Sequence, residues 1–365
     1  MERYSTFLIG TSKGLVEVNC LGGKWQITTC HFVGFPVSYV FVDERSGTWW
    51  AALAHRHWGQ KLHRSNDRGA SWEAVSVPTY PQHARLKSGR PATLRKIWSM
   101  AHGGVDRPKV LYVGTEPGGL FVSEDGGDSF QLLESLWNHP SREHQWFGAG
   151  RDHPFIHSIV VDPRDSAHFY IAISCAGVFE TWDGGKTWAP KNKGLIAAYL
   201  PNPHVEIGHD PHLLLACRAQ PEVLWQQNHC GIFRSTNGGA YWENISGEND
   251  FPDYGFALAI EPNDPNIAWV IPVTDDTKRV APNLALSVCQ TTDGGKSWQR
   301  FSSGLPQEFC FDIVFRHSLV KRGKVLLFGT TTGNLYLSEN GGEHWQTLSN
   351  HLARVEVVAA TEPSY

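Results

Sequence analysis

An eight-residue pattern recurs six times along the 365 residues of this chain. It reads Ser65-Asn-Asp67-Arg-Gly69-Ala-Ser71-Trp72, Ser123-Glu-Asp125-Gly-Gly127-Asp-Ser129-Phe130 and Thr181-Trp-Asp183-Gly-Gly185-Lys-Thr187-Trp188. The later copies are Ser235-Thr-Asn237-Gly-Gly239-Ala-Tyr241-Trp242, Thr291-Thr-Asp293-Gly-Gly295-Lys-Ser297-Trp298 and Ser338-Glu-Asn340-Gly-Gly342-Glu-His344-Trp345. The consensus is S/T-x-D/N-x-G-x-x-W/F. Recurrence at roughly 50 to 60 residues is the signature of a propeller or a solenoid, not of one globular core.

The chemistry of the pattern is that of a turn. Asp or Asn accepts hydrogen bonds from nearby backbone N–H groups and tolerates unusual backbone angles. The glycine takes positive φ without steric cost. The Trp or Phe brings a large apolar surface to the outgoing strand. Free exchange of Asp and Asn argues for structure, because a catalytic carboxylate does not accept an amide in its place.

Strand-like segments precede each copy. Lys109 to Thr115 is apolar and β-branched, Glu116 to Gly119 turns, and Leu120 to Ser123 leads into the pattern. Ala167 to Ser174 and Val178 to Thr181 repeat the arrangement. A further strand precedes each pair, often through a turn such as Asp162-Pro-Arg-Asp165 or Glu261-Pro-Asn-Asp-Pro265. The unit is therefore a four-stranded antiparallel blade. A seventh, degenerate unit opens the chain: Thr6 to Gly10, a turn, Leu15 to Val18, and a decayed pattern at Gly22-Gly23-Lys24-Trp25. It lacks an innermost strand, which Arg354 to Ala360 can supply. The expectation is an all-β, seven-bladed β-propeller filling residues 1–365 as a single domain. Its N- and C-terminal strands share one blade, which leaves no open sheet edge.

The net charge of −4 gives no electrostatic basis for binding nucleic acid or anionic lipid. No apolar run reaches the length of a membrane span. The N-terminus enters a strand at once, without a leader-like apolar stretch. Seven cysteines, odd in number and without a C-x-x-C pair, read as reduced thiols in a cytoplasmic protein.

The repeated turns resemble the Asp-box, or bacterial neuraminidase repeat, of sialidases, sortilin, two-domain xyloglucanases and the photosystem II assembly factor. The whole chain is similar to bacterial propellers of the BNR-repeat type, often labelled sialidase-like or glycosyl hydrolase. Gly114 to Phe121, Leu136 to Arg142, Ala176 to Phe179 and Gln226 to Gly231 carry that resemblance. It implies the fold and leaves function open, since such folds host enzymes and scaffolds alike. The Phe-Arg-Ile-Pro string of sialidases is absent; Phe315-Arg316-His317 lacks the continuation. True sialidase activity is therefore not expected.

Propellers gather ligands at the mouth of the central channel, where turns from second to third strands meet the loops between blades. Two connections exceed the 12 to 15 residues or so that are common without a function. One is Pro78 to Leu94; the other, Leu132 to Phe155, carries Trp137, His139, Arg142 and Arg151. Candidate catalytic residues are Glu116, His157 and His229. Candidate ligand-binding residues are His55, His57, Trp98, Trp137, His139, Arg142 and His212. Aromatic rings suit stacking on a sugar-like ring, and His with Arg suits charge and proton transfer. His157, His212 and His229 come from adjacent blades and can hold a divalent metal as three neutral imidazoles, with Gln227 adding an oxygen. Ser158 and Ser174 have no nucleophile-elbow context. Cys230, beside His229, is the thiol to test for reactivity.

These features point to a hydrolase- or lyase-type enzyme acting on a small polar, carbohydrate-like or carboxylated ligand. A non-catalytic binding or assembly scaffold and a metal-dependent lyase with a three-His site are the alternatives.

Overall fold

The computed structural model describes residues 6–361 apart from 56, 149, 248–250 and 252. Its strands form seven four-stranded antiparallel sheets. Blade 1 runs outward from Val355–Ala360 through Thr6–Thr11, Gly14–Leu21 and Lys24–His31. The innermost strands of blades 2 to 7 are Val37–Asp43, Lys96–His102, Ile156–Asp162, Pro211–Ala216, Gly255–Ile260 and Leu319–Arg322. Each innermost strand touches its counterparts in both neighbouring blades, right round the ring. The expected closure holds: Phe7 pairs with Ala360, Ile9 with Val358 and Gly10 with Val357.

Strand alternation explains the packing. Side chains at successive positions point to opposite faces of a sheet, so each blade fills two wedges. Phe7 and Ile9 pack with Leu327 and Leu335 of blade 7, while Leu8 packs with Val40 and Trp49 of blade 2. Trp50, one residue after Trp49, turns the other way to meet Ile97, Met100 and Val113 of blade 3. Seven such clusters fill the seven interfaces. Each fully buried Val, Leu, Ile or Phe contributes about 1.5–3 kcal/mol. The hydrophobic core is thus divided among the interfaces between blades.

The repeated turns lock the outer edge. In blade 4 the Thr181 hydroxyl donates to Asp183 Oδ1 (2.8 Å) and accepts from Gly185 N–H (2.9 Å). Asp183 Oδ1 accepts from Thr187 N–H (2.9 Å). The motif ring then reaches the preceding blade: Trp242 Nε1–H donates to Lys191 O (2.8 Å) and Trp298 Nε1–H to Ile245 O (3.0 Å). Gly126 and Gly127 have φ of 83° and 94°, and a Cβ on Gly127 would overlap the Trp50 ring of blade 2.

Both long connections lie over blade 3. The second contains short helices at Glu134–Trp137 and Pro140–Gln145. From the first, Tyr80 drops onto Phe121 and Trp137, and its hydroxyl hydrogen-bonds Thr115 Oγ1 (2.6 Å). None of the described helices is long and apolar enough to cross a membrane.

Candidate functional site: the mouth of the axial channel

Where the innermost strands begin, the ring opens into a cavity of about 530 Å³. Every blade or the loop leading into it contributes. Ser38 comes from blade 2, Lys96 and Trp98 from blade 3, Phe155 from the approach to blade 4, and Asp210 and His212 from blade 5. Phe256 belongs to blade 6, Phe315 to His317 precede blade 7, and Arg354 and Glu356 lie on and before the closing strand.

Aromatic rings form its walls. Trp98 and Phe155 stack with centroids 4.0 Å apart and planes at 19°. Phe256 stacks on His212 at 4.5 Å and meets Phe315 edge-on. Cations cover these rings. Lys96 Nζ lies 4.0 Å from the Trp98 centroid, and the Arg316 guanidinium lies 5.2 Å from Phe155 and 5.3 Å from Phe256.

Some of the cations are neutralised locally. Glu356 takes Arg354 (3.0 Å) and Lys96 (3.5 Å), and buried Glu116 accepts from Arg151 Nε (2.6 Å) and Trp98 Nε1 (3.2 Å). Arg279 and Arg316 have no carboxylate within ion-pair distance among the described residues, and buried Nε of Arg316 has no hydrogen-bond partner. Burial pulls the Arg316 pKa down from its usual value, with Asp210 pulling the other way. A guanidinium held in this condition is a receptor for a ligand anion.

On the opposite wall stands a group built by blade 5. The short segment Asp210-Pro-His212 enters the innermost strand, and His229 follows the second. Asp210 Oδ1 is occupied by Ser174 Oγ–H (2.8 Å) and Cys175 N–H (3.2 Å). Its Oδ2 faces His212 Nε2 at 3.5 Å and His229 Nδ1 at 3.7 Å. His212 Nδ1–H donates to Gly255 O (2.6 Å), and His229 Nε2 faces Asp276 Oδ2 at 3.5 Å. Burial lowers the pKa of His212 against the pull of Asp210. Burial penalises the Asp210 carboxylate, but His212, Arg316 and the Ser174 hydroxyl outweigh that cost and hold its carboxyl below the usual range.

The expected site residues divide into three groups. Trp98, His212 and His229 line the cavity. Glu116 and His157 are buried just behind it. Both polar contacts of Glu116 end on Oε2, so it positions Trp98 and Arg151. His157 Nδ1 pairs with Ser158 Oγ (2.9 Å), its Nε2 has no partner, and burial followed by the Arg316 charge holds its pKa well below the ordinary value. His157 does not join the close donor set, in which Asp210 accompanies His212 and His229 with ligand atoms within 4.8 Å of one another. Gln227 donates its amide N–H groups to the carbonyls of Asn228, Gly231 and Asp253.

The remaining candidates sit elsewhere. His55 Nδ1 accepts from the backbone N–H groups of His57 and Trp58, which makes this cluster a hairpin cap outside the cavity lining. Trp137 is buried in the wedge between blades 2 and 3. Arg142 covers it, 3.3 Å from the ring centroid. His139 caps the helix Pro140–Gln145 by accepting from Ser141 N–H. Arg142 also lines a second cavity of about 540 Å³ between the two long connections, with Lys87, Arg90 and His153. Burial raises the Cys230 pKa, so the thiol is not activated, and all seven cysteines are unpaired.

Asp210, Arg279, Arg316 and Glu356 were not singled out from the sequence. Asp210-Pro-His212 and Phe315-Arg316-His317 share a signal: each lies on the segment that delivers the chain to an innermost strand. Arg279 and Asp276 sit on a loop whose course no local pattern predicts.

No family profile matches the chain. The oligoxyloglucan-reducing end-specific xyloglucanase of Emericella nidulans is 23% identical over 276 residues, covering 65% of this chain and 30% of that enzyme. Among solved structures, the Niastella koreensis GH74 enzyme superposes with a TM-score of 0.63 at 14% identity over 94% of this chain and 52% of that one. YCF48 bound to D1 peptide gives 0.52 at 18% identity, over 92% and 89%. The chain thus spans about a third of the curated relative and half of the GH74 structure. At these identities the similarity establishes a seven-bladed propeller of the kind found in GH74 enzymes and YCF48.

Proposed function

We propose that the protein binds a small carboxylated, carbohydrate-like molecule in the axial cavity and acts on it by hydrolase- or lyase-type chemistry. The observation that carries this reading is the pair of guanidinium groups, Arg279 and Arg316, left without carboxylate partners over aromatic walls. Arg316 takes the ligand carboxylate, and the Trp98–Phe155 stack supports the face of a sugar ring. With no metal on Nδ1, His229, half-buried between Asp210 and Asp276, is the group placed to move a proton to or from the ligand. The distant similarity to a xyloglucanase and a GH74 enzyme agrees with a carbohydrate-type ligand. We further read the repeated turns as Asp-boxes of the BNR type, the ring as one domain, and the compartment as the cytoplasm.

The test is calorimetric titration with glucuronate and, separately, glucose. Glucuronate should bind saturably and glucose should not. Arg316→Ala should weaken glucuronate by about 10- to 150-fold, the loss of a hydrogen bond to a charged group. Equal binding of the two sugars, or an indifferent Arg316→Ala, would remove the basis of the reading.

A second reading follows from the cavity lined by Arg142, Lys87 and Arg90, to which Asp152, His153 and Pro154 contribute while their chain neighbours Arg151 and Phe155 line the axial cavity. Two basic cavities side by side suit an extended acidic peptide in a non-catalytic scaffold. A peptide that binds while glucuronate does not would favour it.

A further inference from the structure

We infer that Asp210, His212 and His229 form the protein half of a binding site for a divalent first-row transition metal, with its open positions facing the axial cavity. This goes beyond the carboxylated-ligand reading and does not rest on it. The three donors are Asp210 Oδ2, His212 Nε2 and His229 Nδ1.

Their spacing is the first argument. Oδ2 lies 3.5 Å from one ring nitrogen and 3.7 Å from the other. A charge-assisted N–H···O contact is shorter, about 2.7–2.9 Å. Two donors bound to one tetrahedral ion at about 2.0–2.2 Å are separated by about 3.4 Å. The observed gaps therefore fit a shared ion better than a direct hydrogen bond.

Proton placement is the second argument. The Gly255 carbonyl can only accept, so His212 Nδ1 carries the proton in that contact. When the ring is neutral, its Nε2 lone pair points at a carboxylate oxygen. Asp210 has already committed Oδ1 to Ser174 and Cys175, leaving Oδ2 free toward the same point. Two lone pairs aimed at each other from buried groups call for a cation between them.

The third argument is the outer shell. Metal-binding histidines pass their second N–H to a carbonyl or a carboxylate, which fixes the ring orientation. His212 has Gly255 O in that place at 2.6 Å, whereas Asp276 Oδ2 stands 3.5 Å from His229 Nε2, beyond direct hydrogen-bond length. Ring packing fixes both rings further: His212 stacks on Phe256, and His229 meets Tyr199 and Tyr254 edge-on. Two imidazoles and one carboxylate leave coordination positions open, as in sites that bind a substrate directly on the metal.

The experiment uses the full chain, stripped with a chelator and titrated with Co²⁺ while visible absorption is recorded, then with Zn²⁺ in competition. One Co²⁺ per chain should bind, with d–d bands of a four- or five-coordinate site that Zn²⁺ abolishes. His229→Ala, at a half-buried position, should lose the bands while keeping the metal-free melting temperature. Asp210→Asn, which keeps the shape and the Ser174 contact, gives an independent check should His229→Ala fail to fold. Absence of saturable one-to-one binding, or binding unaltered in both His229→Ala and Asp210→Asn, would overturn the inference. Because no organic ligand is present, the outcome is independent of the glucuronate titration.

Discussion

His168 shows how one residue is decided by what faces it. Its Nδ1 lies 3.1 Å from Asp162 Oδ2 and its Nε2 lies 3.1 Å from Glu180 Oε1. Arg164 grips both oxygens of Asp162, Lys191 takes the other oxygen of Glu180, and Trp182 stacks on the ring at 3.5 Å. Burial disfavours the imidazolium, but hydrogen bonds and charge from Glu180 and Asp162 overcome it and raise the pKa above 6.5. The stability this group contributes is full below pH 6.5 and is lost as pH rises through the higher folded value. Glu180 runs the other way. Burial opposes its charge, His168 and Lys191 more than compensate, and its pKa falls from 4.5 to about 2. Its contribution is present above pH 4.5 and is lost toward pH 2. Urea unfolding of wild type and His168→Gln should therefore diverge most between pH 4.5 and 6.5 and converge only as pH rises through the raised folded pKa of His168. A difference independent of pH from 5 to 9 would show that the triad is not charged as described. At the axial mouth the same residue type meets the opposite setting: burial beside Arg316 and Lys96 pushes His317 down to about 3. Composition does not separate these cases. Histidines were legible as a rim-forming population, and two of the eventual lining residues, His212 and His229, were found that way. Their partners, Asp210 and Arg316, were not, because their meeting depends on strand starts more than 100 positions apart closing on one axis.

The repeated turn is the element that sets the fold, and its variation follows a rule. Where the first polar residue is Asp, the residue four positions later is Ser71, Ser129, Ser297 or Thr187, and its hydroxyl donates to the second carboxylate oxygen at 2.6 Å. Where it is Asn, that later residue is Tyr241 or His344, and only its backbone N–H is bound, at 3.0 Å. Asp and Asn are thus not freely exchangeable. The carboxylate goes with a hydroxyl to fill its second oxygen; the amide stands where no short hydroxyl is supplied. Converting blade 5 to the other version tests this. Asn237→Asp alone replaces the amide nitrogen by an oxygen without its donor, and Tyr241→Ser alone sets a hydroxyl beside the amide nitrogen, where only a neutral contact can form. Together they should be more stable than the sum of the single changes by about 0.5–1.5 kcal/mol, one net hydrogen bond, in a double-mutant cycle read by urea denaturation. Zero coupling would mean the pairing of residue types has no energetic basis. At this scale the sequence was most informative. The turn, the strand before it and the motif ring lie within one short stretch, so the blade repeat was legible without knowledge of distant contacts. The helices Glu134–Trp137 and Pro140–Gln145 were not, since they are short and held by burial of Leu136 and Trp137 and by the His139 cap.

Across the whole molecule, closure of the ring and assembly of the cavity are one event. The strand Val355–Ala360 completes blade 1 and carries Glu356 into the cavity beside Arg354 and Lys96. Val355 and Val358 pack in the wedge between blades 7 and 1, and Val357 packs in the wedge between blades 1 and 2. At about 1.5–3 kcal/mol for each buried side chain, these three contribute about 5–9 kcal/mol. The net stability of a folded domain is about 5–15 kcal/mol. Removing residues 355–365 should therefore bring the chain close to unfolding, and it also leaves Thr6–Thr11 as an unpaired edge. The expected result is a melting temperature lowered by more than 10 °C or so, with tryptophan fluorescence showing loss of structure in several blades, because each wedge depends on its two neighbours. Val357→Ala gives the graded counterpart, a loss of about 1–2 kcal/mol from a single wedge. If the truncated chain melts where the full chain does, the ring is held by the other interfaces alone, and the closing strand serves only to deliver Glu356 to the cavity.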